Sequence, residues 1–267
     1  MTGKPPTPKI DTTVPHSARI WNHWLGGKDN YQVDRDAGEQ YRQTFPGVVD
    51  VARASRGFLT RTVRYLAGPA GIRQFLDIGT GLPTVDNTHE VAQRVAPECR
   101  IVYVDNDPMV SVHARALLVG NPAGATAYLD ADLREPDAIL TQAKNTLDLH
   151  QPVGLVLSGI MGHVPDTGQA YAIVAHLMEA LAPGSYLSLN DGTSVVAGEA
   201  VEKAQQGYDD TGAVPYTQRT PEEIAGFFDG LEPVPPGVVS CPQWRPDADT
   251  SGPELVDAFG GVGRKTR

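Results

Sequence analysis

The run Phe75-Leu76-Asp77-Ile78-Gly79-Thr80-Gly81-Leu82-Pro83-Thr84 constrains this chain more than any other stretch. It reads as a buried strand that enters a glycine turn and then a helix. A second strand, Arg100-Ile101-Val102-Tyr103-Val104-Asp105, ends in an acid one βαβ unit further on, the spacing of a nucleotide-binding half. Gly79 and Gly81 permit positive φ and a close approach of backbone to ligand. A dinucleotide fingerprint would place a third glycine where Pro83-Thr84 stand, so a pyrophosphate cradle is not expected. Asp77 would also repel phosphate, and suits a cationic ligand.

Beyond Gln74 the pattern alternates strand and helix. Strands are expected at 100–105, 125–129, 153–157 and 185–189, with intervening helices that begin near Asn87, Pro108, Pro136 and Gly168. Such repeated units argue for a doubly wound α/β fold with a parallel sheet covered on both faces. A helix is expected over Thr193 to Gly207, another from the Thr220-Pro221-Glu222-Glu223 capping box, and a closing antiparallel hairpin from 231–240 and 259–264. Ahead of the first strand, residues 1–15 read as a disordered or loosely attached tail. Residues 16–70 read as an N-terminal helical cap, opened by Ser17 as N-cap, and residues 71–267 as a Rossmann-like domain.

Composition narrows the function. A net charge of −10 over 267 residues argues against nucleic acid as the main partner, because phosphate neutralisation requires a basic surface. Arg53, Arg56, Arg61 and Arg64 read as the solvated face of an amphipathic helix. Cys99 and Cys241 match no metal or redox spacing. The polar, Pro-rich start is not a secretory signal, and no apolar run has the length to span a bilayer. A soluble cytoplasmic protein with a small-molecule substrate is therefore expected, and nothing in the chain sets its oligomeric state.

In open α/β sheets ligands bind outside the carboxyl ends of the strands. The candidate cofactor set is accordingly Asp77, Gly79, Thr80 and Gly81 at the first strand, Asp105 and Asn106 at the second, Asp132 and Leu133 at the third, and Ser158 at the fourth. An acid for a ribose diol, an acid for a cationic amino-acid group and no phosphate cradle together fit S-adenosyl-L-methionine. Asp132 would accept from the adenine amine, with Leu133 and Met109 against the ring. The sulfonium makes its methyl group reactive, so the protein has mainly to align a nucleophile. His163 and Asp191 are the candidate catalytic groups, while His23 reads as packing. In the segment Trp21 to Tyr31, Gly26-Gly27 would hinge a lid that carries Asn22, Lys28, Asn30 and Tyr31 toward ligand or substrate. Two rival readings stand beside a methyltransferase: a non-catalytic binder of the same cofactor or its demethylated product, and a nicotinamide-dependent oxidoreductase.

The motifs Ala18-Arg19, Leu25-Gly26-Gly27-Lys28-Asp29-Asn30-Tyr31, Gln74 to Thr84 and Val102-Tyr103-Val104-Asp105-Asn106-Asp107-Pro108 resemble those of a bacterial family of S-adenosylmethionine-dependent methyltransferase-like proteins of largely unassigned substrate. The terminal Gly260-Gly261-Val262-Gly263-Arg264-Lys265 extends the likeness to nearly the whole chain. The resemblance implies a class I methyltransferase fold with a seven-stranded sheet, the last strand antiparallel. The chain departs from the family pattern at Gly162, where the family carries His, and at Asn190-Asp191, where it carries Ser-His.

Overall fold

The computed structural model of the protein describes residues 10–117, 120–247 and 254–267. Three helices come first: α1 (Ser17–Trp24), α2 (Gln32–Thr44) and α3 (Val48–Ala67). Alternation follows as β1 (Gln74–Ile78), α4 (Thr88–Val95), β2 (Arg100–Asp105), α5 (Pro108–Leu117), β3 (Ala125–Asp130), α6 (Pro136–Ala143), β4 (Gly154–Ser158), α7 (Thr167–Glu179) and β5 (Tyr186–Gly192). The chain ends with α8 (Glu199–Asp209), α9 (Pro221–Gly226) and the strands β6 (Glu232–Pro233), β7 (Val239–Ser240) and β8 (Ala258–Arg264). Start signals read from the sequence recur as caps. Asn87 and Glu90 close a capping box on α4, Thr220 and Glu223 another on α9, and Asp107 accepts from Met109 N at 2.8 Å. α1 is capped by His16 in place of the expected Ser17.

The strands run β3-β2-β1-β4-β5-β8-β6, with β7 paired to β8. The five strands β1 to β5 are parallel, and β8 lies antiparallel to β5, β6 and β7. Eight strands therefore stand among the described residues in place of seven. The expected hairpin partner of β8 is split in two, because Pro235 and Pro236 interrupt it and have no N–H to give to a ladder. A second difference lies after β5. Residues 193–198 form a turn in place of the first part of a helix, because the Asp257 carboxylate accepts from Val196 N at 2.8 Å and Ala197 N at 2.9 Å. Gly198, at φ +54°, then starts α8.

Side-chain alternation along the central strands assigns the two faces. Phe75, Ile101, Tyr103 and Val156 join one core with residues of α1, α2, α3, α4 and α8. Leu76, Ile78, Val102, Val104, Leu155 and Leu157 join the other with α6, α7 and α9. Asp77 and Asp105 thus fall on the face of Phe75 and Tyr103, beneath α3 and α4. Residues 1–9 of the expected tail lie outside the described residues. Residues 11–14 are held by Arg19, whose guanidinium donates to Asp11 O at 2.9 Å and Val14 O at 3.1 Å.

Trp244 fixes the C-terminal strands to α3. It is wholly buried, packs edge-on against Phe58 and Tyr65, and its carbonyl accepts from Arg61 Nε at 2.9 Å. Trp244→Ala should lower unfolding free energy by about 3–5 kcal/mol in urea titrations. A loss under about 1 kcal/mol would show that this anchor is not a main support of the fold.

Candidate active site

A cavity of about 180 Å³ opens at the carboxyl ends of β1 to β4. Asp77, Gly79, Thr80, Gly81, Asp105, Asn106, Asp132, Leu133 and Ser158 all line it. The glycine turn accounts for the opening. Gly79 and Gly81 hold φ of +75° and +66°, and a Cβ on Gly79 would stand 2.5 Å from Ile160 Cγ1. The turn is laced to β2: Gly79 N donates to Val104 O and Gly81 N to Asp105 Oδ2, both at 2.8 Å. Asp105 Oδ1 accepts from Asp107 N at 3.0 Å. Each carboxylate oxygen has two lone pairs, so Asp105 keeps accepting capacity toward the cavity. Burial pushes its pKa up.

Asp77 is almost fully buried, and burial raises its pKa to about 6, against the hydrogen bond from Thr88 Oγ1 at 2.6 Å and the field of Arg56. Arg56 comes from α3, where Ala52, Ser55, Arg56 and Leu59 turn one helical face to the cavity. Its Nη2 donates to Asn87 Oδ1 at 3.1 Å, and its Nη1 makes no hydrogen bond among the described residues. At β3, Asp132 is forked by Arg134 at 2.9 and 2.6 Å, which holds its pKa below the ordinary carboxylate value. Ser158 donates to Asn190 Oδ1 at 2.7 Å, and Asn190 Nδ2 donates to Ser55 Oγ at 2.7 Å.

His163 ends a single 3-10 turn after β4 and lines both this cavity and a smaller neighbour. Its Nδ1 lies 3.1 Å from the Pro215 carbonyl, which can only accept, so Nδ1 carries the proton and Nε2 the lone pair. Burial lowers its pKa and keeps the ring neutral near pH 7. Asp191 lines the smaller cavity, as His163 does, but not the larger one. Its carboxylate accepts from the Tyr216 hydroxyl and sits 3.6 Å from the fully buried Arg219 guanidinium. Burial still raises its pKa to about 6.

The N-terminal residues are placed differently from the sequence reading. Asn22 lines the cavity, but its Oδ1 is spent on Asp29 N at 3.0 Å and Asn30 Nδ2 at 2.9 Å. Lys28 is exposed and off the cavity wall. Asn30 is gripped by Arg35, and Tyr31 packs by Arg19 and the Leu82, Met109 and Val110 cluster. The inward reach expected of Lys28, Asn30 and Tyr31 is absent, because local brackets across Gly26-Gly27 satisfy this loop. Met109 likewise sits in that cluster and off the wall. The N-terminal residues that line the cavity are Ser17, Ala18, Trp21 and Asn22 of α1, with His16 before it and Leu25 after it. Arg56, Ser55 and Trp21 were not expected as wall residues. The legible signal was two polar residues, Ser55 and Arg56, set against the apolar stripe of α3. Of the four arginines read as a solvated face, Arg61 and Arg56 are committed to Trp244, Cys241, Val85 and Asn87.

Residues 3–266 match the family model for S-adenosyl methyltransferases. The chain belongs to that family. Its cofactor is S-adenosyl-L-methionine. A DUF574-family protein from Streptomyces avermitilis is 44% identical, with a TM-score of 0.92 over 96% of this chain and 100% of that one. A protein from Thermobifida fusca provisionally assigned as a methyltransferase is 39% identical, with a TM-score of 0.90 over 99% of this chain and 100% of that one. An O-methyltransferase family 2 protein from Planctomyces limnophilus, 15% identical at a TM-score of 0.52 over 92% of this chain and 65% of that one, shares the fold. The sheet is that of the class I methyltransferases. No curated protein matches the chain. Among the described residues no helix is long and apolar enough to cross a membrane, and no cluster of His, Cys, Asp or Glu could hold a metal.

Asp77 makes a pH-dependent contribution. Its folded pKa, about 6, lies above the ordinary 3.8, so the fold binds the extra proton and loses stability as pH rises from about 4 to 6. Asp77→Asn removes that penalty. The variant should match the parent near pH 4 and exceed it by about 1–3 kcal/mol at pH 7.5 in denaturant titrations. A constant gap across that range would contradict the burial cost.

Proposed function

We propose that the chain transfers a methyl group from S-adenosyl-L-methionine, held in the larger cavity, to a small-molecule acceptor that enters beside His163. The observation that carries this reading is the charge arrangement on one wall. Asp77 and the free Nη1 of Arg56 present opposite charges from β1 and α3, and Asp105 offers a buried carboxylate a βαβ unit away.

The residues fit the cofactor chemically. Asp77 would take the ammonium of the methionine part and Arg56 its carboxylate, each by a charge-assisted hydrogen bond. Asp105 would accept from the ribose hydroxyls with its remaining lone pairs. Thr80 and Asn106 border that place, and Asp132 and Leu133 border the expected position of the base, with Arg134 already on Asp132. When bound, the cofactor supplies a methyl group on a positively charged sulfur, an intrinsically reactive donor. The protein's part is then to align the acceptor, exclude water and take a proton where the acceptor carries one. His163 Nε2 is set for the last task, because Pro215 fixes the tautomer. Asp191 serves instead to hold Tyr216, since its oxygens face that hydroxyl and Arg219.

We read residues 16–70 as a cap whose α1 closes the cavity. Trp21 and Leu25 would exclude water from the reacting atoms. The family match gives no support to a nicotinamide-dependent activity.

Asp105→Ala should weaken binding of S-adenosyl-L-methionine and S-adenosylhomocysteine by about 1.5–3 kcal/mol in calorimetric titrations. Unchanged affinity would remove Asp105 from the ribose site.

A further inference from the structure

The smaller cavity shares Ser17, Trp21, Ser55, Gly159 and His163 with the larger one, so the two meet at the imidazole. We infer that this smaller cavity is the acceptor site and that it takes an uncharged single-ring phenol. The inference rests on the methyltransferase reading above and adds the substrate class.

Size limits the occupant first. The cavity measures about 70 Å³, and a water needs about 10–15 Å³ by the same measure. That leaves room for roughly five to seven water-sized groups; bonded ring atoms overlap and take less space each than separate waters, so the occupant is no larger than one substituted six-membered ring. The walls select a flat apolar body. Trp21, Trp24, Tyr41, Phe45, Tyr208 and Tyr216 supply the aromatic lining. Trp24 and Tyr41 stand 5.3 Å apart, and Tyr41 and Tyr208 6.4 Å apart in an edge arrangement, which offers both faces and edges to a ring.

Charge removes other classes. Among the described residues the lining includes no Lys or Arg. Its two carboxylates are already countered: Asp257 accepts from the amides of residues 196 and 197, and Asp191 accepts from Tyr216 on Oδ1 while its Oδ2, which makes no hydrogen bond among the described residues, pairs with Arg219 at 3.6 Å. A carboxylate or phosphate acceptor would find no cation there, and an ammonium would meet only acids whose charge Arg219 or backbone amides already counter. A neutral molecule remains.

One uncharged polar group in the wall is buried and unsatisfied among the described residues. The Tyr208 hydroxyl is buried without a hydrogen-bond partner among the described residues, on a residue only 7% exposed that lines this cavity. Leaving such a group unsatisfied is costly, and a ring substituent that accepts or donates would satisfy it. The part of the lining shared with the larger cavity presents His163, whose Nε2 lone pair faces no protein donor among the described residues. An acceptor bound between the two would therefore carry one polar group for Tyr208 and its reacting hydroxyl at His163.

The step balances. The phenolic oxygen bonds to the methyl carbon as the methyl–sulfur bond breaks, and that electron pair stays on sulfur as a neutral thioether. The hydroxyl proton passes to His163 Nε2, and from the imidazolium to solvent after the aryl methyl ether leaves.

The test uses the full chain loaded with S-adenosylhomocysteine, with catechol, toluene and benzoate as probes in ligand-observed NMR titrations. Catechol should bind, benzoate should bind at least tenfold more weakly, and Tyr208→Phe should weaken catechol about fivefold while leaving toluene unchanged. Val201→Phe, which fills the cavity from α8, should abolish catechol binding and preserve that of S-adenosylhomocysteine. With S-adenosyl-L-methionine, catechol should yield its monomethyl ether, and His163→Gln should lower kcat at least a hundredfold with little change in KM. Benzoate as the tightest probe, or catechol affinity indifferent to both Tyr208→Phe and a folded Val201→Phe, would overturn the acceptor assignment alone. Failure of S-adenosylhomocysteine to bind the parent chain would instead overturn the methyltransferase reading beneath it.

Discussion

Two amides of one turn, donated to the end of the neighbouring strand, set the geometry on which the site depends. Gly79 N reaches Val104 O and Gly81 N reaches Asp105 Oδ2. These bonds fold the chain back at the end of β1 so sharply that positive φ is required twice. They also bring the Asp105 carboxylate to the same wall as Asp77. Without that lacing the strands would still pair, since their register rests on the ladder between 74–78 and 100–104. The cavity at their ends would not have its two acids in place.

The buried acids differ in how their charge is met, and the difference separates binding from support. Asp191 faces the Tyr216 hydroxyl and the Arg219 guanidinium, and Arg219 is itself tied to the Met161 and Val164 carbonyls at 2.8 and 2.6 Å. That group is paired in charge, although Asp191 Oδ2 makes no hydrogen bond among the described residues, and it holds the turn bearing His163. Asp77 has one short hydrogen bond, from Thr88, and a more distant guanidinium that keeps a donor unused. A charge left partly unmatched at a cavity wall is a cost in the unliganded fold, and a cationic ligand offsets it.

Much of the fold was readable because its signals are local. The near-continuous apolar runs of β1, β2 and β4 and the capping boxes at Asn87 and Thr220 need no tertiary knowledge. The strand-end rule likewise gathered Asp77, Asp105, Asp132 and Ser158 on one cavity. What failed depended on distant partners. The turn at 193–198 is imposed by Asp257, some sixty positions along the chain. Lys28, Asn30 and Tyr31 looked like lid residues by composition, but Asn22, Arg35 and the Leu82 cluster claim that loop. Arg56 and Tyr208 line cavities through the packing of α3 on β4, β5 and β8 and of α8 on α2, which no local pattern encodes.

The most direct measurement is a crystal structure of the full chain grown with S-adenosylhomocysteine. The account predicts its ribose hydroxyls on Asp105 and its amino-acid end between Asp77 and Arg56, with the sulfur toward His163. A ligand seated elsewhere, or one reversed so that the base meets Asp77, would contradict it.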